Sequence, residues 1–291
     1  MKLSTVDIYM TKATQLAIIS AKRRVLNNRL LQAKHGADYF LSASSGGRCH
    51  KLHLYQALGT NPEVTLGDSV QLLRLGNMLH DDKQKLILES IKEDEEMDKL
   101  SVEVERELID LDNNVLGHAD VIIKWEAYDG RPMAEIHDDK TVGSYGWKMK
   151  VSQQRFRQKG YGKPQPMYEI QLGSYANMLS EEDGIKGVDI SLYLDFYNKD
   201  NSATRSRQIS NSYQEIATQY WHKVNSFIDE YGEDGLEIEG GDHYSIPMEK
   251  WECNYCQFAS RCGSPLRTKK EAQVEVQITE KDEVLFNKGE L

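Results

Sequence analysis

Three residues in the middle of the chain are spaced to do chemistry on a phosphate. Asp120 closes the run GHAD and opens an apolar stretch, VIIKW, while Asp138 and Lys140 fall within MAEIHDDKT after a YDGRP turn. On an extended strand the side chains alternate, so Ile136, Asp138 and Lys140 share one face, and His137 and Asp139 share the other. An acid and a lysine on one face, beside a strand whose start holds a second acid, form a compact cation-and-lysine site. Two carboxylates can hold a hard divalent cation that keeps several waters, as magnesium prefers. Such an ion polarises a phosphoryl oxygen and acidifies a bound water. Lys140 would orient that water or stabilise charge on the phosphate.

The second group is sulfur. Cys253, Cys256 and Cys262 crowd into WECNYCQFASRC, and the remaining cysteine, Cys49, lies far upstream in SASSGGRCHK. Three thiols at CxxCxxxxxC spacing point to a shared metal. A tetrahedral site then needs a fourth ligand, either Cys49 or a histidine such as His50 or His243. If Cys49 supplies it, the fold brings the two ends of the chain together. Four protein ligands leave no open position, so this centre is structural. A third group is basic: Lys148, Lys150, Arg155, Arg157, Lys159 and Lys163 occur with no acid among residues 143–166, interleaved with Tyr145, Trp147, Phe156 and Tyr161. Basic side chains can track phosphates while aromatic rings stack bases, a mixture suited to single-stranded nucleic acid.

These groups need elements to hold them. Apolar spacing predicts helices over residues 5–34, 49–58, 68–92, 167–179 and 213–231. Short alternating runs at 103–108, 119–125, 133–136 (continuing through MAEIHDDKT) and 190–197 predict strands. Residues 143–166 are expected as a loop, and the charged C-terminal tail as loosely ordered. A helical lead-in followed by strand, strand, helix and strand indicates an α/β fold with a mixed sheet. The 291 residues suffice for one large domain with an appended cap. The net charge of -10 argues against a protein that coats nucleic acid nonspecifically, yet it allows a local basic groove. No run is apolar enough to span a membrane, and no export signal is expected, so the expected location is the cytoplasm.

With Asp120, Asp138 and Lys140 in place, the order D…DxK, with Gly117 three residues before the first Asp, resembles the PD-(D/E)XK nuclease superfamily in its RecB-type branch. Gly76-x-x-x-His80 upstream resembles the histidine motif of that branch, and Gln171-x-x-x-Tyr175 its QxxxY motif. One upstream cysteine with a C-terminal CxxCxxxxxC resembles the iron–sulfur members, such as the CRISPR-associated exonucleases and AddB-type nuclease domains. The resemblance covers residues 42–262. It departs from the pattern at Asp139, where relatives often carry a bulky apolar residue, and at His137.

The resemblance implies a restriction-endonuclease-like core with a central mixed sheet flanked by helices, plus a helical iron–sulfur cap joining the N- and C-terminal segments. The implied division is residues 1–60 with the first cluster cysteine, a core at 61–232, the cysteine segment at 233–265 and the tail at 266–291. It implies a four-iron, four-sulfur cluster on Cys49, Cys253, Cys256 and Cys262. It further implies Mg²⁺ or Mn²⁺ on Asp120 and Asp138, with His80 and the Asp139 carbonyl assisting. Lys140 would position the attacking water, and Gln171 and Tyr175 would hold the DNA or the lysine in register. The implied activity is exonucleolytic hydrolysis of single-stranded DNA or duplex ends in recombination, repair or CRISPR-type processing, with a partner protein from such a pathway. A non-hydrolytic DNA-binding or adaptor subunit with a structural metal–cysteine cap is the alternative.

Overall fold

The computed structural model describes residues 5–65, 68–93, 100–151, 166–182, 185, 187–237, 250–262 and 273–291. In chain order it contains α1 (Thr5–His35), β1 (Leu41–Ser42), α2 (His50–Ala57), β2 (Glu63–Thr65), α3 (Asp68–Glu93), β3 (Ser101–Asp110), β4 (Val115–Glu126) and β5 (Pro132–Val142). Then follow α4 (Ser144–Gly146), a π-helical turn (Trp147–Val151), α5 (Met167–Ser180), β6 (Asp189–Asn198), β7 (Thr204–Ile209) and α6 (Ser212–Tyr231). The last elements are α7 (Lys250–Asn254), α8 (Ala259–Cys262), β8 (Gln273–Glu275) and α9 (Glu280–Asn287). The chain divides into two compact units. One comprises Met1–Phe40, Cys49–Leu75 and Phe227–Leu291; the other comprises Leu41–Arg48 and Gly76–Ser226.

The second unit is built on an open, mixed sheet of six strands. β3 runs antiparallel along one edge of β4, from Ser101 opposite Lys124 to Asp110 opposite Val115. The other edge of β4 is shared: β1 pairs parallel at Val115 and Leu116, and β5 pairs antiparallel over Val121–Glu126. β6 joins β5 in parallel, and β7 closes the order antiparallel to β6. The sheet is flanked by helices. This is an α/β fold of the kind expected of a restriction-endonuclease-like core.

Alternation decides which side chains face the core. Along β6 every second residue is buried, with Ile190, Leu192, Leu194 and Phe196 turned inward. α5 is apolar nearly all round, as a helix enclosed on several sides must be. Ile170, Leu172, Ala176 and Leu179 are fully buried on it. Gly173 of α5 meets the Tyr213 carbonyl at the start of α6 so closely that a Cβ would lie 2.1 Å from the oxygen. The Trp221 indole N–H then donates to Ser174 Oγ at 2.8 Å, fixing α6 on α5. That pair of helices holds the face of α5 used by the site.

In the other unit β2 and β8 form a two-stranded antiparallel sheet. Over its described residues, 273–291, the C-terminal tail is not loose. Its last helix opens with a capping box in which Thr279 and Asp282 exchange hydrogen bonds. Asp282 also accepts from Lys22 of α1 at 2.8 Å, and Arg29 pairs with Glu283. Two acids of the tail, Asp282 and Glu283, are thus matched by Lys22 and Arg29 of α1. Residues 143–166 also differ from expectation, because 144–151 wind into α4 and the π turn; residues 152–165 lie outside the described residues. β7 was not expected either, since TRSRQI is a polar, mostly exposed strand with no apolar alternation to announce it.

Candidate active site and thiol centre

The β4–β5 pairing brings the three chemical residues together. Antiparallel register ends at Val121 opposite His137, and just beyond it the Asp120 carboxylate accepts the Asp139 backbone N–H at 2.6 Å. Asp138 and Lys140 emerge on one face of β5, as alternation requires, and form an ion pair at 2.6 Å. Asp138 is entirely buried. Gln171 Nε2 donates to Asp138 Oδ1 at 3.1 Å and to the Tyr175 hydroxyl at 2.8 Å, while Gln171 Oε1 accepts from Lys140 at 3.1 Å. The four-residue spacing of Gln171 and Tyr175 stacks them on one face of α5. Together they fix both members of the Asp138–Lys140 pair.

Two glycines allow this closeness. A Cβ on Gly117 would fall 2.5 Å from the Tyr175 ring and 2.8 Å from Ala43. The glycine three residues before Asp120 is therefore the floor on which Tyr175 rests. Gly76 plays a similar part for α3, since a Cβ there would lie 2.9 Å from Thr141 Oγ1 of β5. This close approach delivers His80, one turn further along α3.

His80 Nε2 stands 2.7 Å from the Asp139 carbonyl oxygen. A carbonyl can only accept, so Nε2 carries the proton and, in the neutral ring, Nδ1 keeps its lone pair. That nitrogen faces Asp120 Oδ1 at 3.7 Å. At that distance the two atoms form no hydrogen bond with each other, and both can offer lone pairs to a cation once Asp120 is ionised. Donor atoms of His80, Asp120 and Asp139 all lie within 4.8 Å of one another. Asp139 Oδ2 is buried without a hydrogen-bond partner, which adds an acceptor available to the same ion.

The set differs in one respect from the expected one. Asp139 brings its carboxylate, its carbonyl being taken by His80, while the Asp138 carboxylate is taken by Lys140 and Gln171. On its own face of the sheet Asp139 also meets Lys83, which pairs in addition with Asp195 at 3.0 Å. His137 lies there too, between Asp195 and Glu135. Lys83 was not singled out in the sequence; its place one turn from His80 on α3 is the only signal it gives.

The electrostatics follow from crowding acids in a dry place. Burial, then the neighbouring Asp138, raises the Asp120 carboxyl to about 7. Burial likewise pushes Asp138 up, against the pull of Lys140. Lys140 loses solvation on burial, but Asp138 and Asp120 more than offset it and raise its pKa, so it stays an ammonium. Burial and the nearby Asp138 hold the Tyr175 phenol well above its ordinary value, keeping it neutral. Gln84, also on α3, donates to Glu105 Oε1 at 2.6 Å. Glu105 interrupts β3 opposite Asp120 with a left-handed backbone, φ +49°.

Of the basic residues, Lys148 and Lys150 lie on the π turn, and Lys150 Nζ donates to the Tyr168 hydroxyl at 2.6 Å. Arg155, Arg157, Lys159 and Lys163 lie outside the described residues, as do Phe156 and Tyr161.

The four cysteines belong to the other unit. Cys49 caps the N-terminus of α2, and Cys253 is buried on α7. Cys49, Cys256 and Cys262 pack around one apolar cluster of Leu52, Tyr55 and Phe258, with Tyr55 stacked on Phe258 at 5.0 Å. Burial, reinforced by Cys262 and Cys256, pushes the Cys49 thiol up to about 12. None of the four forms a disulfide. Cys49, Cys256 and Cys262, half-buried around that cluster, are candidate ligands for a metal, which would displace their protons. His50 packs against Phe227, and His243 lies outside the described residues.

No family model matches the chain, and no curated protein matches it. Among solved structures, the protein SSO0001 is similar at 16% identity and a TM-score of 0.41, covering 86% of this chain and 96% of its own. A Eubacterium rectale protein provisionally described as an exonuclease is similar at 14% identity and a TM-score of 0.40, covering 94% and 96%. Likenesses this distant carry no argument about activity. No described helix is long and apolar enough to cross a membrane.

Proposed function

We propose that the chain is a metal-dependent deoxyribonuclease that shortens single-stranded DNA or duplex ends. The observation that carries the reading is the pairing of two adjoining sets on one sheet. His80, Asp120 and Asp139 offer lone pairs to a cation, while Lys140 is held as an ammonium by Asp138 and Gln171. A surface ion-pair network would not need a buried acid with pKa near 7 beside it.

His80, Asp120 and Asp139 would hold Mg²⁺ or Mn²⁺, with Asp138 bordering the site. When bound, the ion polarises a phosphoryl oxygen and acidifies a water. Lys140, charged and tethered on two sides, is a hydrogen-bond donor rather than a base. Its task is to steady the negative charge that grows on the phosphate as the water oxygen adds. Gln171 reads both partners of the pair at once: its oxygen faces the ammonium and its amide the carboxylate. Tyr175, neutral and buried, anchors Gln171 from below. The four cysteines would hold a four-iron, four-sulfur cluster, whose work is to fasten the C-terminal segment to Cys49 and α2. Residues 143–166 would guide the strand, and recombination, repair or CRISPR-type processing supplies such substrates.

The test compares end-labelled linear DNA with closed circular single strands, in magnesium, manganese or EDTA. Shortening of linear DNA only, and only with metal, is expected. Cutting of circles would replace the exonuclease reading with an endonuclease; no cutting of any substrate would overturn the nuclease reading.

A further inference from the structure

α5 presents a third residue to the site. Tyr168, Gln171 and Tyr175 recur at helical spacing along the same face, and Tyr168 sits in the first turn. Lys140 Nζ lies 5.0 Å from the Tyr168 ring centroid, and Lys150 Nζ lies 4.0 Å from the same centroid. One ring thus receives the lysine of the reactive set and a lysine of the π turn. Both distances fall within the reach of cation–π attraction. π turns break the regular ladder and recur where a side chain has to be aimed.

The hydrogen bond between Lys150 and Tyr168 has a direction. An ammonium has only hydrogens to give, so the phenol oxygen accepts, and the phenol keeps its own O–H to donate. Among the described residues that O–H has no acceptor. Two ammonium groups and a free phenol O–H therefore converge on the ring of Tyr168. Both lysines carry charge at their tips on flexible stems, as point-charge binders of phosphate do.

We infer that Tyr168 and Lys150 seat a second phosphate of the bound strand, the one adjoining the phosphate that Lys140 serves. This rests on the nuclease reading and deepens it. The site's ligand is a phosphodiester group, recognised by charge and O–H donation with no base contact. Tyr168 and Lys150 set the register of the strand against Lys140 without touching the reacting bond.

The test is a methylphosphonate walk. A single neutral methylphosphonate is moved along a labelled oligonucleotide, and binding is followed by anisotropy with calcium in place of magnesium. Wild type, Lys150→Ala and Tyr168→Phe are compared; Tyr168→Phe keeps the ring and removes only the O–H. Wild type is expected to lose about tenfold in affinity at the adjoining phosphate, a charge-assisted hydrogen bond's worth. Both variants are expected to bind unmodified strand about tenfold more weakly and to ignore the substitution at that one position. Equal sensitivity of variants and wild type at every position would overturn the inference, as would two variants that lose different positions. A wild type that binds and gives this pattern but never cleaves in magnesium would refute the nuclease reading alone. A wild type that does not bind the strand would end both.

Discussion

Replacing Asp120 by Asn should make the metal-free protein more stable, although Asp120 stands at the centre of the proposed site. Burial and Asp138 raise its carboxyl from an ordinary 3.8 to about 7. The folded chain therefore holds this proton more tightly than the unfolded chain does. Stability is fully present below about pH 4 and is lost as pH rises toward 7. About three pH units at ~1.4 kcal/mol each sets an upper limit of ~4 kcal/mol. Sharing of charge with Asp138 cuts this, so ~1–3 kcal/mol is the expected gain for Asp120→Asn at pH 8. The Asn oxygen can still accept the Asp139 N–H, which keeps the local hydrogen bond. The assay is urea unfolding in EDTA at pH 8 and pH 4.5, repeated with magnesium. The variant should exceed wild type at pH 8, come within about 1 kcal/mol of it at pH 4.5, and fail to gain from magnesium while wild type does. An Asn variant no more stable than wild type at pH 8 would refute the reasoning, and so would a gain independent of pH.

Gly117→Ala should cost ~1–3 kcal/mol and displace Tyr175, because the new methyl would meet the ring and Ala43 in a packed core; activity falling more than stability on thermal unfolding would confirm the route through Tyr175. Cys49→Ser should lower bound iron well below the about four atoms per chain of an intact cluster, measured by metal analysis of anaerobically purified protein; undiminished iron would exclude Cys49 as a ligand. Thr279→Ala should loosen α9 for ~1 kcal/mol, visible as faster amide exchange in residues 280–287. Lys22 and Thr279 hold the Asp282 carboxyl down to about 2, so the support it gives to α9 should be whole above about pH 4 and lost as pH falls toward 2.

Much of the site could be read before the structure because its parts obey local periods. Alternation placed Asp138 with Lys140 on one face of the strand and His137 with Asp139 on the other, and the four-residue spacing stacked Gln171 on Tyr175. Those rules concern neighbours in sequence. What they could not supply is pairing at a distance: that the Asp139 carbonyl meets His80, that Lys83 reaches across to Asp139 and Asp195, or that Tyr168 collects two lysines. Gly117 carried a signal as part of a motif, yet its reason, the Tyr175 ring above it, lies on another element. The tail misled for a related cause. A charged tail reads as loosely ordered until its counter-charges are known, and those of Asp282 and Glu283 sit on α1, at the far end of the chain. β7 had no apolar face to betray it, because an edge strand can be held by its ladder alone.

The most direct test of the central claim is single-turnover cleavage of an end-labelled single strand by anaerobically purified protein, wild type against Lys140→Met, with magnesium added to start the reaction. Wild type is expected to shorten the strand, and the variant to bind metal normally and DNA no more than about tenfold more weakly, while cleaving at saturating protein at least about a hundredfold more slowly, as loss of one charge-stabilising donor does elsewhere. A folded Lys140→Met variant that cleaves as fast as wild type would contradict the claim.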